Sequence, residues 1–266
     1  MKKHTFAICA YKESPYLEEC IESLKRQTIP SDIIVVTSTP SEYIQNIAEK
    51  YKLPYYINKG EKGITQDWNF AYSCAHSRYI TITHQDDIYE KSYLEHALLA
   101  LERSRKPLIF FSDYYELRGG ERVKNNMLLN IKRIMLLPLR IKLFQHSRWV
   151  RRRILSIGSP ICCPSVTYVA NHLPAVIFAH HFRSCEDWEA WEKISRLKGD
   201  FLYCPELLVG HRIHEESETT AIIGDNKRSE EEYEMFRKFW PEFIAKLLNK
   251  PYSKSQISNR LEKKDN

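Results

Sequence analysis

Along the first hundred residues the apolar positions switch regularly between two spacings. Residues 5–10, 32–37, 53–57 and 79–83 are short runs rich in β-branched and aromatic side chains, the pattern of buried strands. Between them, Leu17, Cys20, Ile21 and Leu24 recur at helical spacing within 16–27, and Tyr43, Ile44, Ile47 and Ala48 do so within 41–51. Residues 64–76, containing Asp67-Trp68-Asn69, read as a third helix, and about 91–104 as a fourth. Ser14 is a candidate N-cap with Pro15 at the first helical position. Strand–helix alternation of this kind predicts an α/β fold: a Rossmann-like, mostly parallel sheet with right-handed crossovers, flanked by helices.

The second half is less regular. Residues 108–111 read as a strand, followed by a turn at Gly119-Gly120. Residues 122–153 then mix Lys132, Arg133, Arg140, Lys142, Arg148, Arg151, Arg152 and Arg153 with many Leu and Ile, interrupted at Pro138. Such a basic amphipathic insertion either lies on an anionic membrane surface or packs on the domain with its charges in water. It holds few aromatic side chains for base stacking, which argues against nucleic acid as a partner. Residues 158–165 read as a rigid loop and 166–169 as a strand. A helix at 188–197 turns Trp188, Trp191, Ile194 and Ser195 inward, and a strand follows at 201–204. A polar loop is expected at 215–220, then one amphipathic helix at 227–248 carrying Phe236, Trp240 and Phe243, then a polar tail. The resulting division is an α/β half (1–115), the basic insertion (116–157), the second half of the same domain (158–225) and a C-terminal helix with its tail (226–266).

Composition narrows the class. A chain of 266 residues with 43% hydrophobic and 28% charged residues suits one large globular domain. No run of about 18 apolar residues occurs, and the apolar run near the N-terminus is too short for a signal peptide. Seven scattered cysteines without a CxxC pair indicate reduced thiols rather than a disulfide frame or a zinc site. The expectation is a cytoplasmic protein, with its net charge of +6 concentrated locally.

Candidate chemistry centres on Asp86-Asp87. These carboxylates end the 79–83 strand, where ligands bind in open α/β sheets, and their mutual repulsion favours a cation. Oxygen ligands of this kind suit Mg²⁺ or Mn²⁺, which also hold diphosphates. One of the two carboxylates capping the next helix is the structural alternative. No GxGxxG follows the first strand and no GxxxxGK[ST] occurs, so a glycine-rich loop does not hold phosphates here.

Four stretches in order resemble the inverting family-two glycosyltransferases of the GT-A fold, of the bacterial polysaccharide type. They are Ala10-Tyr11-Lys12-Glu13 with residues 16–28; Gly63 with Asn69; His84-Gln85-Asp86-Asp87; and Glu186-Asp187-Trp188 followed by Arg212-Ile213-His214. The resemblance implies a nucleotide-sugar donor, UDP-linked by frequency in the family, and a saccharide or lipid-linked acceptor at the inner face of the cell membrane. It places Ala10, Tyr11, Glu13, Asn69, Gln85, Asp86 and Arg212 on the donor, Asp86, Asp87 and His214 on Mn²⁺ or Mg²⁺, Asp187 as general base, and Glu186 and Trp188 on the acceptor. Asp187 as a helix cap, and Trp188 as core, are the structural alternatives. Two departures stand out. Lys12 replaces the family's usual asparagine, and Thr37-Ser38-Thr39 stands where an aspartate usually reads the base. A hydroxyl of this trio, helped by Asp67, is expected to contact the base instead. The missing aspartate also motivates a second reading, a catalytically silent nucleotide-sugar-binding or scaffold protein. A nucleotidyltransferase finds no phosphate loop to support it.

Overall fold

A computed structural model of the chain describes residues 3–214 and 226–257; the polar loop expected at 215–220 and the end of the tail lie outside them. In chain order the elements are β1 (His4–Ala10), α1 (Leu17–Lys25), β2 (Asp32–Thr37), α2 (Glu42–Lys50), β3 (Tyr55–Ile57), α3 (Ile64–Cys74), β4 (Tyr79–His84), β5 (Ile88–Tyr89), α4 (Tyr93–Arg103), β6 (Pro107–Arg118) and β7 (Glu121–Val123). There follow α5 (Met127–Leu136), a 3₁₀ turn (Leu137–Arg140), α6 (Lys142–Gln145), α7 (Arg148–Leu155), β8 (Val166–Val169), α8 (Glu186–Ser195), β9 (Asp200–Ile213), α9 (Asn226–Arg237) and α10 (Glu242–Ile257).

One sheet runs β3-β2-β1-β4-β8-β6-β9-β5, with β7 attached to β6. Strands β3, β2, β1 and β4 are mutually parallel. Strand β8 is antiparallel to both β4 and β6, so β4, β6 and β9 point the same way. Both faces of β1, β2 and β4 are covered, which is why these strands are buried along nearly their whole length instead of showing one solvent face. Phe6, Ile8, Ile33 and Val35 face Leu17, Ile21, Ile44 and Leu94 on one side. Ala7, Ile34, Val36 and Ile82 face Ala71, Ile154, Trp188 and Phe236 on the other. This is the expected mixed α/β sheet with flanking helices.

Four local readings are corrected. The strand expected at 108–111 extends to Arg118, because its polar continuation finds partners: Asp113 accepts from Arg133, and Glu116 from Arg118 and Asn126. The strand expected at 201–204 runs on past Pro205 through irregular pairing with β6, up to Ile213. The single helix expected at 227–248 is two, divided at Trp240-Pro241, where the proline ring cannot continue a helix. Ser14 does not cap α1, whose N-cap is Tyr16; its hydroxyl accepts from the Tyr16 N–H in the preceding turn.

Pro138 breaks the basic insertion as expected, seated in the 3₁₀ turn. Much of the positive charge there serves packing. Arg151 is buried, stacks over Phe201, and donates to the carbonyl of Ser195 at the C-terminal end of α8 and to those of Leu197 and Gly199 in the turn that follows. Arg152 reaches Glu192, and Arg153 lies over Trp240. Arg151→Leu keeps the volume and orphans three carbonyls. It is expected to cost about 3 kcal/mol and lower the thermal midpoint by about 6–12 °C, read by thermal and urea unfolding.

Candidate active site

The site is assembled where β4 and β9 end. The short strand β5 pairs with β9, Ile88 opposite Gly210 and Tyr89 opposite Val209, and this pairing brings Asp87 against His211-Arg212. Asp87 is fully buried; its Oδ1 accepts from the Arg212 backbone N–H at 2.9 Å and from His211 Nδ1 at 3.0 Å. Next to it, Asp86 turns its Oδ2 to His214 Nε2, 2.9 Å away. The Asp86 carbonyl accepts from Arg212 Nε at 2.8 Å. The same guanidinium reaches Glu19 at 2.6 Å and lies over the Tyr16 ring. Arg212 therefore braces the turn that carries both carboxylates. Gln85 is a second brace. Its amide donates to the Tyr11 carbonyl and accepts from the Tyr11 N–H, clamping the ends of β1 and β4 together.

His84 closes the β4 end. Its ring stacks on Trp68 at 5.3 Å, and its Nδ1 is 3.6 Å from Asp87 Oδ2. His84 Nε2 and Asp87 Oδ2 are buried without a hydrogen-bond partner. The ligating atoms of His84, Asp86 and Asp87 all lie within 4.8 Å of one another. Two orphaned buried polar atoms beside an ionised carboxylate fit a divalent cation. Burial disfavours the Asp86 anion, but the His214 hydrogen bond and the neighbouring imidazoles outweigh it and hold the pKa below the usual carboxylate value. Desolvation pushes the His84 pKa down, so the ring is a neutral ligand candidate. His211 is driven the other way: burial opposes its charge, and contact with Asp87 overcomes that and raises its pKa.

Asp187 sits in the first turn of α8, its Oδ1 accepting from the Trp188 N–H at 2.6 Å. Desolvation raises its pKa, against the pull of that hydrogen bond and of Lys132 and Arg228. The Cys162 thiol is within electrostatic reach of both Asp87 and Asp187, and Lys132 is within reach of Asp187 and His211.

Several expected contacts are redirected. Trp188 faces the core, fully buried, with its indole N–H on the Leu155 carbonyl; it presents no surface to an acceptor. Glu186 is buried beside it. Gln85 spends its amide on the Tyr11 backbone, and Arg212 its guanidinium on the Asp86 carbonyl and the Glu19 carboxylate. Thr37, Ser38 and Asp67 are buried, and Asp67 accepts from both Ser38 and Asn58, so they form the back of a wall instead of offering free groups to a base. Ala10 is buried, whereas Tyr11 and Glu13 are exposed at the mouth, next to Lys12 in the left-handed region at φ 54°. Tyr16, Glu19, Trp68 and His211 are site residues that sequence reasoning misses. The close spacing of His211, Arg212 and His214 is the available signal for His211; nothing local marks the others.

Asn69 is also redirected. Its Oδ1 accepts from the Ile177 and Phe178 N–H groups at 3.1 Å each, and its amide donates to the Phe178 carbonyl at 2.8 Å. With Thr65 touching His180, it staples the 177–180 loop onto α3, and Phe178 then packs edge-on against Trp68, the ring under His84. Asn69→Ala is expected to reduce amide-exchange protection at Ile177 and Phe178 by roughly tenfold to a hundredfold, with the protection of β1 and β2 unchanged.

Comparison with known proteins agrees with this architecture. An uncharacterized glycosyltransferase of Haemophilus influenzae is 26% identical over 265 residues, covering 91% of this chain and 73% of the relative. Among solved structures, S. aureus TarS 1-349 aligns with a TM-score of 0.60 at 16% identity, over 97% of this chain and 72% of TarS. The mannosyltransferase PcManGT of Pyrobaculum calidifontis, in complex with GDP-Man and Mn²⁺, aligns at 0.59 and 16% identity, over 97% and 73%. Glucosyl-3-phosphoglycerate synthase of Mycobacterium tuberculosis, with Mn²⁺ and UDP-glucose, aligns at 0.55 and 13%, over 85% and 76%. At these identities the structures speak for the fold, which is GT-A. Residues 5–157, more than half of the sequence, match the family described as Glycosyl transferase family 2, and the chain belongs to that family.

Proposed function

We propose that this glycosyltransferase moves a sugar, with inversion, from a nucleotide sugar to a hydroxyl of a saccharide or lipid-linked acceptor in polysaccharide assembly at the inner face of the cell membrane. The observation that carries the reading is the Asp86 carboxylate, held ionised beside His214 and His84 at the carboxyl end of the sheet. Asp86, Asp87 and His84, with His214 alongside, would hold Mn²⁺ or Mg²⁺, which when bound neutralises charge developing on a departing diphosphate. Two of the structural neighbours named above, PcManGT and glucosyl-3-phosphoglycerate synthase, were solved with Mn²⁺ and with GDP-Man or UDP-glucose, which supports a donor of this class; a UDP-sugar is the first to test.

The chain's own groups supply the rest. Asp187 takes the proton of the acceptor hydroxyl as that oxygen bonds to the anomeric carbon; the carbon–oxygen bond to the diphosphate breaks, and its electron pair leaves with the phosphate. A carboxylate whose pKa is raised by desolvation is a stronger base than an exposed one. Displacement in a single in-line step inverts the anomeric centre and needs no nucleophilic side chain. Arg212 and Gln85 keep the Asp86 turn in place, and the wall of Ser38, Asn58 and Asp67 borders the donor half, residues 1–115.

The test is a thermal-shift panel of UDP-, GDP-, dTDP- and CMP-sugars with and without Mn²⁺. One nucleotide class at about a hundred times its Kd should raise the midpoint by about 5–10 °C, only with Mn²⁺, and Asp86→Ala should abolish the rise. Asp187→Asn should keep the rise and lose turnover by a thousandfold or more. In the wild type the rate should climb with pH through a midpoint above the usual aspartate range, since the ionised form is the active one, and this limb should vanish in Asp187→Asn. A metal-dependent rise with no turnover of any acceptor would favour a silent binding protein.

A further inference from the structure

We propose that the outer face of α5, the 3₁₀ turn and α6 is a docking surface for an anionic lipid bilayer. This deepens the reading of a lipid-linked acceptor and rests on it only for its purpose; the surface stands on its own observations. Helix α5 is apolar on two sides. Leu128, Leu129 and Leu136 are buried. Met127, Ile131 and Ile134, four and three residues apart, line the other side at 78%, 38% and 64% exposure. The stripe continues through Leu137, Ile141 and Leu143 at 48%, 54% and 73%. A single exposed leucine needs no explanation, but six large aliphatic side chains exposed within 127–143 do.

Charge identifies the occupant. Between Glu121 and Glu186 the chain has eleven Lys or Arg and no acidic residue. Arg133, Arg151 and Arg152 are consumed within the fold. Lys124, Arg140 and Lys142 are exposed along the stripe and form no ion pair among the described residues. An apolar protein partner would cover the aliphatic side chains and leave these charges unmet. A second copy of the chain would bring like charge against like. The boundary between phosphate headgroups and acyl chains accommodates both kinds of side chain over one area. The location is functional as well. On the same helix Lys132 donates to the Tyr114 hydroxyl at 2.9 Å, and the Tyr114 ring is 6.2 Å from that of His211. The helix that exposes the stripe therefore has another side at the candidate active site, so a docked chain would bring the site toward the lipid surface.

The experiment sediments the full chain with phosphatidylcholine vesicles, with and without about 30% phosphatidylglycerol, at roughly 0.1 M and 1 M salt. The wild type should pellet with anionic vesicles at low salt and be released by high salt. Arg140→Gln with Lys142→Gln should lower the partition coefficient about 25-fold, near fivefold per charge. Ile134→Gln with Ile141→Gln and Leu143→Gln should lower it tenfold or more. Both variants alter exposed positions and should keep the wild-type melting temperature and rate on a soluble acceptor. No pelleting at low salt, or pelleting unchanged in both variants, overturns the proposal. So does a dimer seen by light scattering that the apolar variant dissolves while no vesicle binding occurs. Asp86→Ala should still pellet: vesicle binding without transfer would refute the transferase reading alone, and transfer without vesicle binding would refute the surface alone.

Discussion

The buried carboxylate of Asp87 is the constraint on which the site depends. A charge removed from water is tolerated only where donors meet it, and here they come from β9, the Arg212 backbone and the His211 ring. Those contacts fasten the end of β9 to the end of β4. Once they are made, the position of Arg212 is set, its side chain reaches back to the Asp86 carbonyl and to Glu19, and His214 two residues on arrives at Asp86. Removing the Asp87 carboxylate would therefore disturb every donor near the candidate cation position, including those it never touches.

The strands and helices up to β4 are legible in the chain because β1, β2 and β4 are buried on both faces and each helix repeats one apolar stripe. Legibility fails where burial is achieved by polar pairing. The stretch Ser112-Asp113-Tyr114-Tyr115-Glu116 looks like a loop until Arg133 and Asn126, from a later helix region, supply its partners. At the site, residue types announce which groups gather more readily than which hydrogen-bond partners they take. Asp86 and His214, expected as neighbours around a cation, do lie together. Asn69, Gln85 and Arg212, expected on the donor, send their hydrogen bonds to backbone that shapes the site. An amide or a guanidinium in sequence carries no sign of whether it will face a ligand or a carbonyl far along the chain. Trp68 under His84 depends likewise on how α3 packs, which no local pattern records.

The basic insertion shows the same division of labour on a larger scale. Its charges are not one patch. Arg151 satisfies the end of α8, Arg133 makes the polar extension of β6 possible, and Lys132 turns toward the site. What remains outside is a small set of cations beside aliphatic side chains that the core does not need. Packing is thus assigned to some residues of these helices, and the proposed docking would use others.

The two candidate carboxylates are tuned by their surroundings in opposite directions. Asp86 and Asp187 are both desolvated, so burial alone would raise both. Asp86 takes a hydrogen bond from His214 and lies near His84 and His211, and these interactions reverse the shift. Asp187 has one short backbone hydrogen bond and the more distant Lys132 and Arg228, and the desolvation prevails. A carboxylate kept ionised suits a cation ligand, which must compete poorly for protons; one with a raised pKa suits a base, which must accept a proton and release it. The separation follows from the histidines clustering on β9 and the end of β4 around Asp86, whereas the cations acting on Asp187 are Lys132 and Arg228. The division of roles is therefore built into which strand ends meet, and Asp87, by holding those ends together, sets the electrostatics of a carboxylate on the next residue as well as its geometry.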